Sequence, residues 1–248
     1  IDDLDRCSPD TVIGTLEAIK LFLFAKNTAF IIGADERLIK HAVRRMFPEI
    51  PGDNTEVGRD YLEKLIQYPI RIPPLSDLEL TTYINLLFTN LYTDIGEFEH
   101  IRISVLEEKN KDQFGFTFRL ENANEFVTEV NENLKEALLL SAQLVSVLAV
   151  GLNGNPRQTK RFLNTLLLRH QMANSKGENL DKRILAKLML LEYFKSETFK
   201  SFYQQQAKNQ GIITELKLME ELVLENNDEK LDELPVEYQS YLQDSWIR

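Results

Sequence analysis

Cysteine is almost missing from the 248 residues: Cys7 stands alone, which excludes an internal disulfide framework and says little about redox compartment. Glycine and proline are scarce, at 10 and 8, and this argues against disorder and against a turn-rich all-β fold. The 3 histidines, His41, His100 and His170, lie far apart with no metal-ligand spacing. Long apolar runs are missing too. The longest candidate, 137–150, is interrupted by Ser141, Gln143 and Ser146 and falls short of the ~18 residues of a membrane span. Basic charge is in deficit: 29 Lys and Arg stand against 39 Asp and Glu, a net charge of -10. Such a balance counts against a general nucleic-acid binder, though not against a local basic patch. No signal peptide is visible and the first residue is Ile, so the expectation is a fragment that begins inside something longer.

What is present starts with charge of one sign in one place. Asp2, Asp3 and Asp5 fall within four positions, after an apolar residue and before a helix start. Carboxylates this close repel one another, and a bound cation relieves the repulsion. Magnesium suits such a site, being held by one or two carboxylates plus substrate phosphates. The plain alternative is a solvated acidic turn.

Taken in order, residues 1–4 read as the end of a buried strand. Ser8-Pro9-Asp10 reads as a helix start, and Val12, Ile13, Leu16, Ile19, Phe22 and Leu23 recur at helical spacing until Lys26-Asn27. The apolar run 28–34 predicts a strand buried on both faces. Asp35 caps a helix carrying Leu38, Ile39, Ala42, Val43 and Met46, and a loop follows at 48–53. Tyr61, Leu62, Leu65 and Ile66 make another helix, and 68–72 another short strand. This order predicts an α/β layer with a parallel sheet, in which ligands bind beyond the carboxyl ends of strands. Asp2, Asp3 and Asp35 all fall at such ends. After Pro74 helices dominate, starting from a Ser76/Glu79 capping box, over about 77–93, 121–150 with a break, 156–173 and 181–205, with a short acidic pair up to 248. The stretch 101–118 is polar and reads as a surface insertion.

A second constellation opens at Gly154-Asn155-Pro156. Asn155 caps a helix whose first turns carry Arg157, Lys160 and Arg161 on one face. Cations at a helix N-terminus oppose the helix dipole unless an anion such as phosphate sits there. Pairing with nearby carboxylates is the alternative in a chain with 39 acids. Lys64, in a helix before the last predicted strand, reads as a surface lysine.

The segments Asp2-Asp3-Leu4-Asp5-Arg6-Cys7, Leu16-Glu17-Ala18-Ile19-Lys20, Ala34-Asp35-Glu36, Tyr61-Leu62-Glu63-Lys64-Leu65-Ile66-Gln67, Pro69-Ile70-Arg71-Ile72-Pro73 and Gly154-Asn155-Pro156-Arg157 with Lys160, Arg161 and Asn164 occur in that order. Together they resemble the KAP family of P-loop NTPases, in the STAND/AAA-like branch, over about residues 1–175. The resemblance implies an α/β then all-α chain: the C-terminal part of a P-loop NTPase parallel sheet from the Walker B element onward (1–75), a helical lid (76–175) and a helical tail (176–248). It implies ATP with Mg2+ as cofactor. Asp2 would hold the metal and Asp3 would orient or deprotonate the attacking water. Asp35 would stand at the sensor position, Arg157 would reach the phosphates from the lid, and Arg161 would join it in binding the nucleotide. Arg6 and Lys64 belong to the family pattern as possible phosphate or inter-subunit contacts. Bacterial members are associated with exclusion of phage and plasmids, which implies a bacterial cytoplasmic setting. Protein partners or self-association, and membrane attachment through a missing N-terminal part, follow from the same likeness.

The departure from the pattern is large. No glycine in the chain is followed by Lys, so there is no G-x-x-x-x-G-K-[ST] phosphate loop. That loop is expected upstream, and without it the chain is expected to bind ATP weakly and to hydrolyse it negligibly. The sequence leaves open a module that holds nucleotide as a scaffold in a multi-protein complex. It also leaves open nucleic-acid handling through Arg157, Lys160, Arg161 and Arg169, which the acidic total makes the least favoured reading.

Overall fold

Ser8 and Pro9 start the first helix by the chemistry expected of them. The Ser8 hydroxyl accepts the Thr11 N–H at 3.3 Å, and Pro9, which has no N–H to satisfy, opens α1 (Pro9–Phe22). Val12, Ile13, Leu16 and Ile19 form its buried face. Asn27, in a left-handed conformation (φ 58°), turns the chain after it. Asp35 caps α2 (Glu36–Met46), accepting the Arg37 N–H at 2.9 Å, and α2 buries Ile39, Ala42 and Val43, whereas Leu38 and Met46 stay exposed. In α3 (Val57–Leu65) Leu65 is buried. With Leu4 these side chains form one small core.

This computed structural model describes residues 1–22, 25–47, 57–225, 234 and 238–239. Leu23, the expected loop at 48–53 and most of the acidic segment after 225 lie outside the described residues. The chain divides into two compact units, Ile1–Ile72 and Pro73–Arg248.

The expected parallel sheet is not found. No strand occurs among the described residues of either unit, and the architecture is helical. Residues 28–34 and 68–72 form no ladder, Tyr68 lies in a bend, and Ile31, Ile70 and Ile72 are 85%, 87% and 93% exposed, not buried on both faces. One trace of the expected pairing survives. The Ile1 amino group donates to Ile31 O and the Gly33 N–H donates to Ile1 O, both at 2.8 Å. Residue 1 thus bonds either side of Ile32, the alternation of a parallel pair. A single rung is not a ladder. The local pattern encodes extension and apolarity, but a sheet also needs neighbouring strands on both sides, and none stands there among the described residues.

The second unit begins with the capping box as expected. Ser76 Oγ accepts the Glu79 N–H, and Glu79 Oε2 accepts the Ser76 N–H at 2.9 Å, opening α4 (Asp77–Tyr92). The stretch read as a surface insertion is instead part of the core. It contains most of α5 (Ile95–Lys111), and Ile101, Val105 and Phe118 are 2%, 0% and 0% exposed. Its two apolar anchors lie four residues apart among charges, so the polar average hid a helix with one narrow buried face. Further helices are α6 (Glu132–Gly151), α7 (Pro156–Ser175), α8 (Lys182–Phe194), α9 (Ser196–Lys208) and α10 (Thr214–Glu225). Leu80, Ile84 and Phe88 of α4 pack with Leu138, Leu144 and Leu148 of α6, Leu166 of α7 and Leu190 of α8 in one continuous core. Each such side chain contributes roughly 1.5–3 kcal/mol on full burial. Among the described residues α6 alone is long and apolar enough to cross a membrane by length and composition, and half of its apolar stretch is buried inside the protein. A separate cluster forms around Phe202, Met219, Leu222, Leu234 and Tyr238, whose ring stacks on Phe202 at 5.7 Å.

Candidate functional site

Asp2, Asp3 and Arg6 are set by the first residues of the chain. Asp3 is left-handed (φ 56°, ψ 26°), a conformation that few side chains other than Asn and Asp tolerate. It leads into a 3-10 turn, Leu4–Arg6, anchored by buried Leu4 and closed by the Arg6 N–H on Asp3 O at 3.0 Å. The Asp3 carboxylate caps nothing. It meets Arg6, Nε to Oδ1 at 3.1 Å. Asp2 Oδ1 accepts the Asp3 N–H at 2.9 Å.

The Asp2 carboxylate lies against Gly33. A Cβ at position 33 would stand 2.8 Å from Asp2 Oδ1, closer than carbon and oxygen tolerate. Gly33 therefore forms a cradle that a larger residue would fill. Sequence reading did not single it out. The available signal was a glycine inside an otherwise apolar extended run, which marks close approach of another group.

Asp35 follows Gly33 by two residues and does local work. It caps α2 and forms a fork with Arg37, Nη2 to Oδ2 at 2.7 Å and Nε to Oδ1 at 3.1 Å. The Arg37 side chain, and then its backbone N–H, hold the Asp35 carboxyl down at about 2. Next to it, Glu36 binds Lys40 at 2.7 Å and Arg71 at 3.0 Å, and Lys40 is the main cause of its carboxyl standing below the usual range. Arg71 thereby ties segment 68–72 to the start of α2, a link the sequence did not reveal. Lys64 is exposed in the last turn of α3, a favourable place for a cation, and makes no ion pair among the described residues.

Magnesium takes oxygen donors, and this turn presents few of them. Among the described residues no group of three or more His, Cys, Asp or Glu side chains converges on a metal site. What fits is the more modest arrangement of one exposed carboxylate, Asp2, seated on Gly33 with one oxygen lone pair used by a backbone N–H. One or two protein carboxylates, with water and phosphate oxygens completing the shell, is the usual way magnesium is held.

The basic constellation belongs to the second unit and is built on α7. Asn155 Oδ1 accepts the N–H groups of Arg157 at 3.0 Å and Gln158 at 3.2 Å, with Pro156 opening the helix. Gly154 (φ +60°) makes the preceding turn possible: a Cβ there would lie 2.1 Å from Leu75 O. Its carbonyl accepts the Leu75 N–H at 3.0 Å, so the turn that aims α7 is fastened to the residue before the α4 cap. Arg157, Lys160, Arg161, Asn164, Thr165 and Leu168 line a shallow open groove. The first turn of α7 contains no acid. Among the described residues Arg157, Lys160 and Arg161 are exposed and make no ion pair, although Arg169 of the same helix pairs with Glu192 at 2.5 Å.

Residues 1–173 match the model of the KAP family P-loop domain, well over half of the chain, and the chain belongs to that family. Membership supports a nucleotide-binding, ATPase-like role, in a class that binds nucleotide and usually Mg2+. No curated protein and no solved structure matches the chain.

Proposed function

We propose that the chain is the C-terminal portion of a KAP-type ATPase in which binding and hydrolysis of Mg-ATP act as a conformational switch. The observation that carries this is the acidic turn: Asp2 seated on Gly33 and Asp3 held separately by Arg6, in a chain of this family. When bound, magnesium would supply positive charge against the nucleotide phosphates. Asp2 would offer a carboxylate oxygen to the ion. Asp3 would accept a hydrogen bond from the attacking water and set its line of approach. Asp35 would sense the nucleotide from the next segment, and Arg157 with Arg161 would supply positive charge to the phosphates from α7. Arg6 and Lys64 are further candidates for phosphate or inter-subunit contact. In this reading residues 1–75 are the Walker B half of the nucleotide core, 76–175 a helical lid, and 176–248 a helical tail that passes the switch to partners. The setting proposed is bacterial and cytoplasmic, in defence against phage or plasmids, with membrane attachment through upstream sequence.

The test is calorimetric titration of Mg-ATP into this chain and into one extended upstream to include a phosphate loop. Tight binding by the extended chain only, followed by turnover that Asp3→Asn abolishes, supports the proposal. No binding by either overturns it, and turnover that survives Asp3→Asn removes Asp3 from the mechanism. A second reading is a non-hydrolysing scaffold in a multi-protein complex. Its mark would be a partner that binds residues 176–248 with or without nucleotide.

A further inference from the structure

The two faces of α7 differ. Thr159, Phe162, Leu163 and Leu166 are buried on one. Arg157, Lys160, Arg161, Asn164 and Leu168 line the open groove on the other. Met172 extends that line by one turn, since residues four apart share a face of a helix. Independently of the nucleotide reading, we infer that this groove docks an acidic, amphipathic helix of a protein partner, with carboxylates against the three cations and apolar side chains on Leu168 and Met172. The groove is graded along its length. Its start holds three exposed cations that make no ion pair among the described residues, and the first turn of α7 contains no acid. That arrangement opposes the helix dipole until carboxylates arrive. Its far end is apolar, with Leu168 and Met172 57% and 52% exposed. From Arg157 to Met172 the helix rises about 22 Å at ~1.5 Å per residue, which is room for about four turns of a second helix alongside. An amphipathic helix sits in a groove through anchors spaced in this way on one face. The charge pattern selects the occupant. A phosphate would use the cations and leave Leu168 and Met172 in water. A nucleic acid needs cations along its track, and on this face they stop at Arg161, while Arg169 pairs with Glu192 instead. An acidic amphipathic helix matches both ends.

The test is fluorescence anisotropy of a labelled synthetic helix titrated with the 248-residue chain. The peptide carries a cluster of glutamates on one face near one end and a pair of leucines on the same face beyond them. No nucleotide and no upstream sequence is needed, so failure here leaves the ATPase reading where it stands. Arg157 and Arg161 serve both readings, and the variants are therefore Lys160→Glu and Leu168→Ala. Both side chains are exposed, and thermal unfolding should not shift. Lys160→Glu should weaken binding roughly tenfold, the scale of one exposed ion pair lost and one repulsion gained. Leu168→Ala should weaken it roughly fivefold, the scale of a leucine partly covered on docking. A peptide with a single glutamate changed to lysine should regain affinity for the Lys160→Glu chain and lose it for the parent, which a folding defect cannot imitate. Binding that Leu168→Ala leaves unchanged would reduce the groove to an anion site and overturn the inference, as would no binding at all. Mg-ATP or a short DNA duplex that binds the same face more tightly than the peptide would overturn it in favour of phosphate. If Lys160→Glu instead returns a self-associating chain to the monomer, the occupant is a second copy and the inference falls.

Discussion

Gly33 shows how much of a site a single missing methyl can hold. Alanine there would place its Cβ 2.8 Å from Asp2 Oδ1, but the atom it meets is the tip of a movable side chain. Gly33→Ala should therefore cost little stability and should still weaken Mn2+ binding, because Asp2 must leave its seat. Thermal unfolding and Mn2+ titration on the same sample separate the two effects; equal loss of both would make Gly33 a folding residue only. Asp35 makes the opposite case, a candidate sensor already occupied by its own helix. Its carboxyl is lowered from the usual 3.8 to about 2, chiefly by Arg37. A depressed folded value means the contribution to stability is present above pH 3.8 and is lost as pH falls toward 2. Asp35→Asn keeps an acceptor for the cap but removes the charge. The variant should melt below the parent at neutral pH, and the gap should narrow from about pH 4 to pH 2. A gap that is constant with pH would mean that the Arg37 fork contributes nothing.

At the scale of the element, α7 carries a conflict that its own energetics do not resolve. Arg157 stands at a helix N-terminus with no acid in the first turn and no ion pair among the described residues. Arg157→Glu should stabilise the unliganded chain by about 0.5 kcal/mol, because the charge then agrees with the dipole. The same change should weaken Mg-ATP binding in the upstream-extended protein. Stability gained with binding lost would mark Arg157 as kept for a ligand; stability lost would show an unseen structural partner. The turn before it is unforgiving. Gly154→Ala adds a left-handed non-glycine residue and a clash with the Leu75 backbone, and should cost at least about 2 kcal/mol in denaturant unfolding. Helices of this kind were legible in the sequence because their determinants are local: Ser76 with Glu79, Asn155 with Pro156, Ser8 with Pro9, each a cap that needs only its own neighbours. The site was half legible for the same reason. Asp2, Asp3 and Arg6 form one short turn and could be read together, whereas the Gly33 cradle and the Arg71–Glu36 pair join residues about thirty apart and left no local trace. The sheet failed on the same ground. Residues 28–34 and 68–72 have the composition of strands, but pairing is a property of neighbours, and among the described residues just the Ile1–Ile32 rung is made.

On the scale of the whole molecule, the first unit places large apolar side chains at its surface. Ile31, Tyr68, Ile70 and Ile72 are 85%, 84%, 87% and 93% exposed on segments outside the helices. Extended apolar segments with free N–H and C=O groups are templates for pairing with another chain. Charge does little to prevent it here, since Arg71, the cation within 68–72, is already engaged by Glu36. The isolated chain should therefore self-associate: in sedimentation velocity its mass should rise above 28.8 kDa with increasing concentration. Ile70→Lys with Ile72→Lys should return it to the monomer, because a charged edge repels its copy and cannot be buried cheaply. The upstream-extended protein gives the deciding comparison. If added upstream sequence restores the monomer without the lysines, the exposed apolar side chains are covered from within the longer protein. If the extended protein associates as strongly as the short chain, the same segments join one copy to another. A short chain that stays monomeric at every concentration would mean that neither partner is needed.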